Sequence, residues 1–474
     1  LKKRLKKLLS NQQTMSASLL SFLSPSAIEE KLPANVLPAS VSSGSVVTYR
    51  SRSRYLPTSG TIYTVPTGSK IIQFRITGND YLDMSTALIH LRVNITSPAT
   101  APTNALIQEG IYSIIQRCRA ALNSVIVQDT DNSHVCANVK VLNTMPRTVY
   151  DSAMGQYLGL YKKSQDPTFC GGTFGATAAQ IAAQVSGYYN ATAAVDNSNG
   201  SSFYIPLSLI CSSIGGMSTF LPLRNVGNFE LTLFLEDPSA CFFNPFSGSM
   251  AAAAYSVSDV SLEVDTVQLA APIVQLYDRL SADTSETGGV KIPVSVDVVQ
   301  SINYSGGSGQ KSVSISRGTT ALTSVSIVKR DQAQVGTSTG QSLSSFQPFA
   351  QSRAQFRLGS RLYPTTASDS FARFATETAH AFGNLNNLYA GGLVTRPTYE
   401  ANSNTQGAFT YAYNFRRVLT EELGLDGENS IQSGSIIQYD VTDNAGVSTV
   451  VLTAIIESLR YVELKGSAVN VLGL

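Results

Sequence analysis

Residues 71–95, IIQFRITGNDYLDMSTALIHLRVNI, hold two runs with a two-residue hydrophobic period on either side of a polar turn. Ile72, Phe74 and Ile76 alternate with Gln73, Arg75 and Thr77. Ala87, Ile89, Leu91, Val93 and Ile95 then alternate with Leu88, His90, Arg92 and Asn94. Successive side chains of an extended chain point to opposite faces, so this is the pattern of half-buried antiparallel strands. The same alternation returns at Phe229–Leu235, Val260–Val264, Val294–Val298, Val313–Ile315 and Val325–Ile327, and in the apolar stretch Val447–Leu464. No regular strand–helix alternation intervenes, which excludes a parallel α/β sheet and predicts an all-β protein of sandwiches or barrels.

At 474 residues the chain exceeds what one hydrophobic core serves, and two domains of roughly 200 residues are expected. Only 14% of residues are charged while 43% are hydrophobic. A freely soluble monomer displays more charge, so much of the surface is expected to lie against other protein.

Charge is unevenly placed. Residues 1–60 carry nine Lys/Arg against two Glu, whereas the remainder carries 25 against 30. The start, LKKRLKKLLS, spaces Leu1, Leu5, Leu8 and Leu9 as a short amphipathic helix surrounded by Lys2, Lys3, Arg4, Lys6 and Lys7. Ten residues are too few for a stable helix in water without a docking surface. Composition then turns to Ser, Pro and Ala, predicting an extended arm to about residue 60. Within it Arg50, Arg52 and Arg54 alternate with serines. This spacing sets three guanidinium groups on one side of an extended segment, suited to phosphates or a neighbour's carboxylates, or simply solvated ahead of the first strand.

Two helices are predicted. Near Thr148–Lys162, Tyr150, Met154, Tyr157, Leu158 and Tyr161 share a face; near Ser368–Phe382, Phe371, Phe374, Thr378 and Phe382 do so, with Gly383 as a stop. Pro146, Thr148, Asp151 and Ser152 match Pro364, Thr366, Asp369 and Ser370 at an offset of 218 residues, which points to an internal repeat with helix-capping side chains at both starts.

The segment G-N-D-Y-L-D-M-S-T-A-L-I-H-L-R-V (78–93) resembles an early strand of double jelly-roll major capsid proteins, the hexon-like coats of adenovirus-related, virophage, Polinton-like and adintovirus-like DNA viruses. Phe203-Tyr-Ile-Pro-Leu-Ser-Leu, Phe220-Leu-Pro-Leu and Phe229-Glu-Leu-Thr-Leu are similar to the run closing the first jelly roll of that family. The likeness covers about half the chain in patches. The long Ala/Ser-rich insert near 172–202 and the lack of Trp depart from it.

The resemblance implies two jelly-roll β-sandwiches in tandem, each with a short helix toward its later half. The expected organisation is a basic arm at 1–60, a first jelly roll at 61–275 and a second at 276–474. It also implies homotrimers of pseudo-hexagonal outline that tile an icosahedral virion shell beside penton and minor capsid proteins. Lys2, Lys3, Arg4, Lys6, Lys7, Arg50, Arg52 and Arg54 are the expected inner-face contacts to genome, membrane or neighbouring capsomers. Gly/Ser/Thr-rich stretches at 186–202, 304–311, 331–345 and 400–408 are expected as loops.

Enzyme chemistry finds little support. His90, His134 and His380 are far apart, and no His pair has metal-ligand spacing. Gly215-Gly216 and the glycines at 306–309 lack the Gly-Lys-Ser/Thr of a phosphate loop. Asp80 with Asp83, and Asp129 with Asp131, read as turn formers before calcium ligands. Five scattered cysteines read as buried, reduced thiols. No cofactor, metal or catalytic residue is expected. Two other readings stay open: a single-jelly-roll coat protein with a projecting β domain, and a carbohydrate-binding surface sandwich.

Overall fold

The computed structural model describes residues 47–96, 106–107, 110–150, 152–160, 201–243, 254–285, 288–336, 343, 345–384, 392–402, 407–416, 427–431, 434, 436–466 and 468–472. The basic helix expected at 1–10 and Cys170 lie outside them. So do the Ala/Ser-rich insert up to residue 200 and most of the 337–344 stretch.

The first half runs β1 (Val47–Tyr55), β2 (Ile62–Val65), β3 (Ile71–Thr77), β4 (Tyr81–Thr96), β5 (Leu106–Ile107), β6 (Ile115–Leu122) and β7 (Val125–Asp131). After helix α1 (Ser133–Thr144) come β8 (Ser201–Pro206), β9 (Leu221–Pro222), β10 (Asn228–Leu235), β11 (Phe242–Phe243) and β12 (Ala254–Leu269). The second half follows helix α2 (Ala271–Ala282) with β13 (Val290–Ile315), β14 (Leu322–Asp331), β15 (Arg353–Leu358) and β16 (Arg361–Ser368). Helix α3 (Phe371–Ala381), β17 (Tyr411–Asn414), β18 (Ile437–Lys465) and β19 (Ala468–Leu472) complete it.

In the first half one sheet has the order β1-β12-β4-β8, with β2 continuing beside β12, and a facing sheet has the order β3-β10-β6-β7. The alternating residues meet between them: Ile72, Phe74, Ile76, Ile89, Leu91, Phe229, Leu231, Leu233, Leu262 and Val264 are all buried.

The second half repeats this order with fewer, longer strands. The start of β13 (290–305) pairs with the end of β18 (449–464), which pairs in turn with β14, and β14 with β17. The end of β13 (307–315) pairs with the start of β18 (437–445), followed by β15 and β16. Each layer therefore has the strand order of its counterpart in the first half. Each half also places a helix after the hairpin of its second sheet, α1 after β6-β7 and α3 after β15-β16. This is the expected pair of jelly rolls, each with eight strand positions in two antiparallel sheets.

Several sequence-based expectations are corrected. Residues 304–311 are no loop but the bend of β13, where the chain passes from one sheet to the other. The glycines are there for closeness, since a Cβ at Gly306 would lie 1.7 Å from the Val447 carbonyl oxygen, and Gly307 has φ +94°. Residues 47–55, read as part of the arm, form β1, which pairs with β12 in the first sandwich, and residue 275 lies inside α2. The helix expected at 148–162 consists of two short pieces, Arg147–Tyr150 and Ala153–Tyr157. A Cβ at Gly155 would sit 2.1 Å from the Tyr150 carbonyl oxygen, and Met154 and Tyr157 are exposed.

The 218-residue repeat is not structural either. Pro146 precedes a short helix, but Pro364 and Thr366 lie within strand β16. Among the described residues of the two starts, Ser370 acts as foreseen, its side chain accepting the Arg373 N–H at 3.4 Å as the cap of α3.

Candidate functional site

Helix α1 and strand β13 join the two sandwiches. β13 is an edge strand of its sheet, and such edges carry unpaired backbone groups that must be covered. At Asp297 the cover comes from the first sandwich. The Asp297 N–H donates to Ser212 Oγ at 3.2 Å, and its carbonyl accepts from Thr130 Oγ1 at 2.7 Å. Its carboxylate, 4% exposed, binds the Lys140 ammonium and accepts from Cys136 Sγ at 3.5 Å. Burial works against the charged lysine, but the Asp297 carboxylate outweighs it and holds the ammonium in its protonated form. The Cys136 thiol is pushed up by burial and by the same carboxylate.

The C-terminal end of α1 is completed by the other sandwich. The last carbonyls of a helix lack partners within it. Here the Leu393 N–H donates to the Leu142 carbonyl at 2.8 Å, and the Asn384 side-chain amide to the Asn143 carbonyl at 2.6 Å. Further up the helix, Asn138 donates to the Leu343 carbonyl at 2.6 Å while accepting from the Tyr112 hydroxyl at 2.9 Å. Apolar packing is continuous across the same junction. The core of the first sandwich runs on through Val294, Val296, Val328, Phe346 and Ile455 of the second.

The bend of the second sandwich has a charged anchor. Asp443, fully buried, accepts from Tyr304 before the bend at 2.6 Å and from Lys311 after it at 2.8 Å. Lys329, also fully buried, lies 3.4 Å from the same carboxylate, donates to the Pro348 carbonyl at 2.8 Å and faces the rings of Phe349 and Phe409. Burial lowers the Lys329 ammonium to about 8 against the opposing pull of Asp443.

Arg50 and Arg52 occupy the exposed face of β1, but their partners belong to their own chain. Arg50 binds Asp265 at 2.7 Å and the buried Asp83 at 3.1 Å; Arg52 binds Glu263 at 3.1 Å. Asp83 is therefore a strand residue in an ion pair, not a turn former. Arg54 stands opposite Glu263 in the register and makes no ion pair among the described residues. Lys2, Lys3, Arg4, Lys6 and Lys7 lie outside the described residues. His90 lies 3.9 Å from Glu263, and His380 is exposed in the last turn of α3. Cys118, Cys136, Cys211 and Cys241 are buried free thiols. Among the described residues, no group of three His, Cys, Asp or Glu could hold a metal ion, and no helix is long and apolar enough to cross a membrane.

No family model matches the sequence, and a search of curated proteins finds no match. Solved structures do match. The VP54 chain of PBCV-1, fitted into a reconstruction of the virophage Sputnik, is 12% identical, with 91% of this chain and 98% of that chain covered and a TM-score of 0.53. The Faustovirus major capsid protein is 9% identical over 90% and 92%, with a TM-score of 0.55. A quasi-atomic model of the PBCV-1 capsid gives 10% identity, 91% and 98% coverage, and a TM-score of 0.54. The fold is the double jelly roll of viral major capsid proteins. Coverage on both sides means that the double jelly roll is matched over both sandwiches and the junction between them.

Sequence reasoning missed the junction, and the reason is physical. Helix α1, SHVCANVKVLNT, is buried on nearly every side and rich in Val, so it shows no apolar stripe. Asp297, in a strand of alternating valines, reads as one more solvent-facing position. Lys140 four residues after Cys136 was the available signal, a charged residue in an otherwise uncharged segment.

Proposed function

We propose that this chain is the major structural protein of an icosahedral viral shell, acting as a rigid block and catalysing no reaction. The observation that carries the reading is the junction around Asp297 and α1, which holds two sandwiches of identical strand order side by side as one body. Two similar columns per chain become six in a trimer, which suits a nearly hexagonal tile. The double jelly-roll structures it resembles include a protein named as a major capsid protein. Low charge supports extensive self-contact. So do exposed apolar side chains such as Leu56 (66%), Ile62 (65%) and Ile71 (42%) in the first sandwich, and Leu362 (40%), Ile431 (42%) and Ile436 (44%) in the second.

In this reading residues 1–46 reach from the first strand to neighbouring capsomers, genome or an inner membrane, with Lys2, Lys3, Arg4, Lys6 and Lys7 as the contacts. Arg50 and Arg52 instead hold β1 to its own sheet. Penton and minor capsid proteins would complete the shell.

The test is the mass of the purified full chain by light scattering or native mass spectrometry. Three copies support the reading. A monomer or a pentamer would replace it with a different coat or a surface protein. Removing residues 1–46 should leave the trimer intact and impair closure into particles; trimers that fall apart would place the arm in the subunit interface.

A further inference from the structure

The junction within the chain uses one side of each sandwich: β7 and α1 of the first meet β13 of the second. By strand order β7 corresponds to β16, α1 to α3, and the start of β13 to β1. The second sandwich therefore has a β16-α3 side, and the first a β1 side, whose counterparts are the two faces of the junction.

Burial separates these counterparts. Ten of the twelve residues of α1 are buried, but in the eleven of α3 only Phe374 and Thr378 are. Six of the ten residues Val290–Val299 of β13 are buried, and none of the nine in β1. Val127, Gln128 and Thr130 are buried in β7, whereas in β16 only Ser368 is. Elements with the same place in the fold are covered at the junction and bare on the sides that remain. Both β1 and β16 end their sheets, and such edges call for cover.

Charges correspond in the same way. Lys140, the eighth residue of α1, binds Asp297, the eighth of β13. Arg54 is the eighth residue of β1, exposed and without an ion pair among the described residues. Glu377, the seventh residue of α3, also makes no ion pair among them. Arg373, one turn earlier, binds Asp369 instead, and His380 lies one turn later. The signs are exchanged, with the acid on the helix and the base on the strand.

We propose that the β16-α3 side of one copy packs on the β1 side of the next, repeating between chains the junction found within the chain, with Glu377 bound to Arg54. The occupant is a second copy because the elements that cover the counterparts belong to this chain. Tyr49 and Leu56, 57% and 66% exposed, supply apolar area on the β1 side, and Leu362 does so on β16. Such a head-to-tail contact is heterologous and closes into a ring where its rotation allows. The proposal rests on the trimer reading, in which three of these contacts join six sandwiches.

Charge exchange on the full chain, read by native mass spectrometry, tests it. Arg54→Glu and Glu377→Arg should each lower the share of trimer roughly tenfold or more, and the double variant should recover it. Arg119→Glu, at an exposed position of β6 in the facing sheet, should leave the trimer unchanged. Recovery in the double variant also shows that the single variants failed in assembly and not in folding. Trimers that persist in both single variants, or a double variant no better than either, would overturn this contact and leave the trimer reading standing. The same loss and recovery in a ring of another size would keep the contact and overturn the trimer, and a monomeric wild type would overturn both.

Discussion

The two sandwiches share a strand order and almost nothing else. In the first, β1, β2 and β3 are separate strands, as are β10 and β12, and the core mixes aliphatic side chains with scattered rings. In the second, the matching strands are fused into β13 and β18, and the core is crowded with rings. Phe356 stacks on Tyr411 at 5.5 Å between centroids and contacts Phe415 and Tyr439, while Phe374 meets Phe409 and Tyr411 edge-on. The first sandwich satisfies its buried Asp83 from the surface through Arg50. The second buries Lys329 and Asp443 entirely. One topology has thus been reached with different core chemistry and different loops, so pairing order constrains the sequence less tightly than packing does.

Truncating the ring cluster should expose the difference most strongly. Phe356→Ala is expected to cost about 3–5 kcal/mol in denaturant unfolding, whereas Ile89→Val in the first sandwich should cost about 0.5–1.5 kcal/mol. Asp443→Asn should be comparably damaging, on the order of 3–5 kcal/mol, because Lys329 and Lys311 would lose their shared counter-ion. Lys329→Met should be close to neutral, since Asp443 retains Lys311 and Tyr304. Similar losses for those two variants would mean that the buried pair is not asymmetric.

Lys140→Ala tests whether the two halves unfold together. It strands Asp297 in the junction, and a loss of roughly 3 kcal/mol should be accompanied by two separate denaturant transitions in place of one. A single unchanged transition would show that apolar packing alone couples the halves.

A smaller effect follows from pH. The folded Lys329 value is lowered to about 8, below that of an unfolded lysine, so between these values the unfolded chain binds the extra proton. Stability from this group therefore rises with pH above about 8 and is fully gained once the unfolded lysine also loses its proton. Thermal midpoints between pH 8 and pH 10 should show wild type gaining relative to Lys329→Met; parallel curves would contradict the assignment. The smallest change expected is Ser370→Ala, about 1 kcal/mol, by unfolding.

Much of the fold was legible because alternation survives in the strands themselves. Ile72, Phe74 and Ile76 are buried while Ile71, Arg75 and Thr77 are exposed, as a one-sided strand requires. The helix at Phe371–Ala381 was legible from Phe374, Thr378 and the Gly383 stop, where φ is +72°. What could not be read were features whose cause lies far away in sequence. The glycines at 306–309 look like any flexible loop until Val447 is placed against them. Arg50 and Arg52 look like part of an anion-binding arm until Asp265 and Glu263, more than two hundred residues later, supply the carboxylates. The Pro146 and Pro364 match consisted of turn-type residues, which occur near many element ends without sharing a role.

Because β13 and β18 cross from one sheet to the other without a loop, the second sandwich contains two spars that run its full height, bonded along nearly their whole length and pinned at the bend by Asp443. Tension applied to its two ends would load that long row of hydrogen bonds together in shear, not one after another as in unzipping. The first sandwich, whose corresponding strands are broken by turns, would be the column to give way first under mechanical strain.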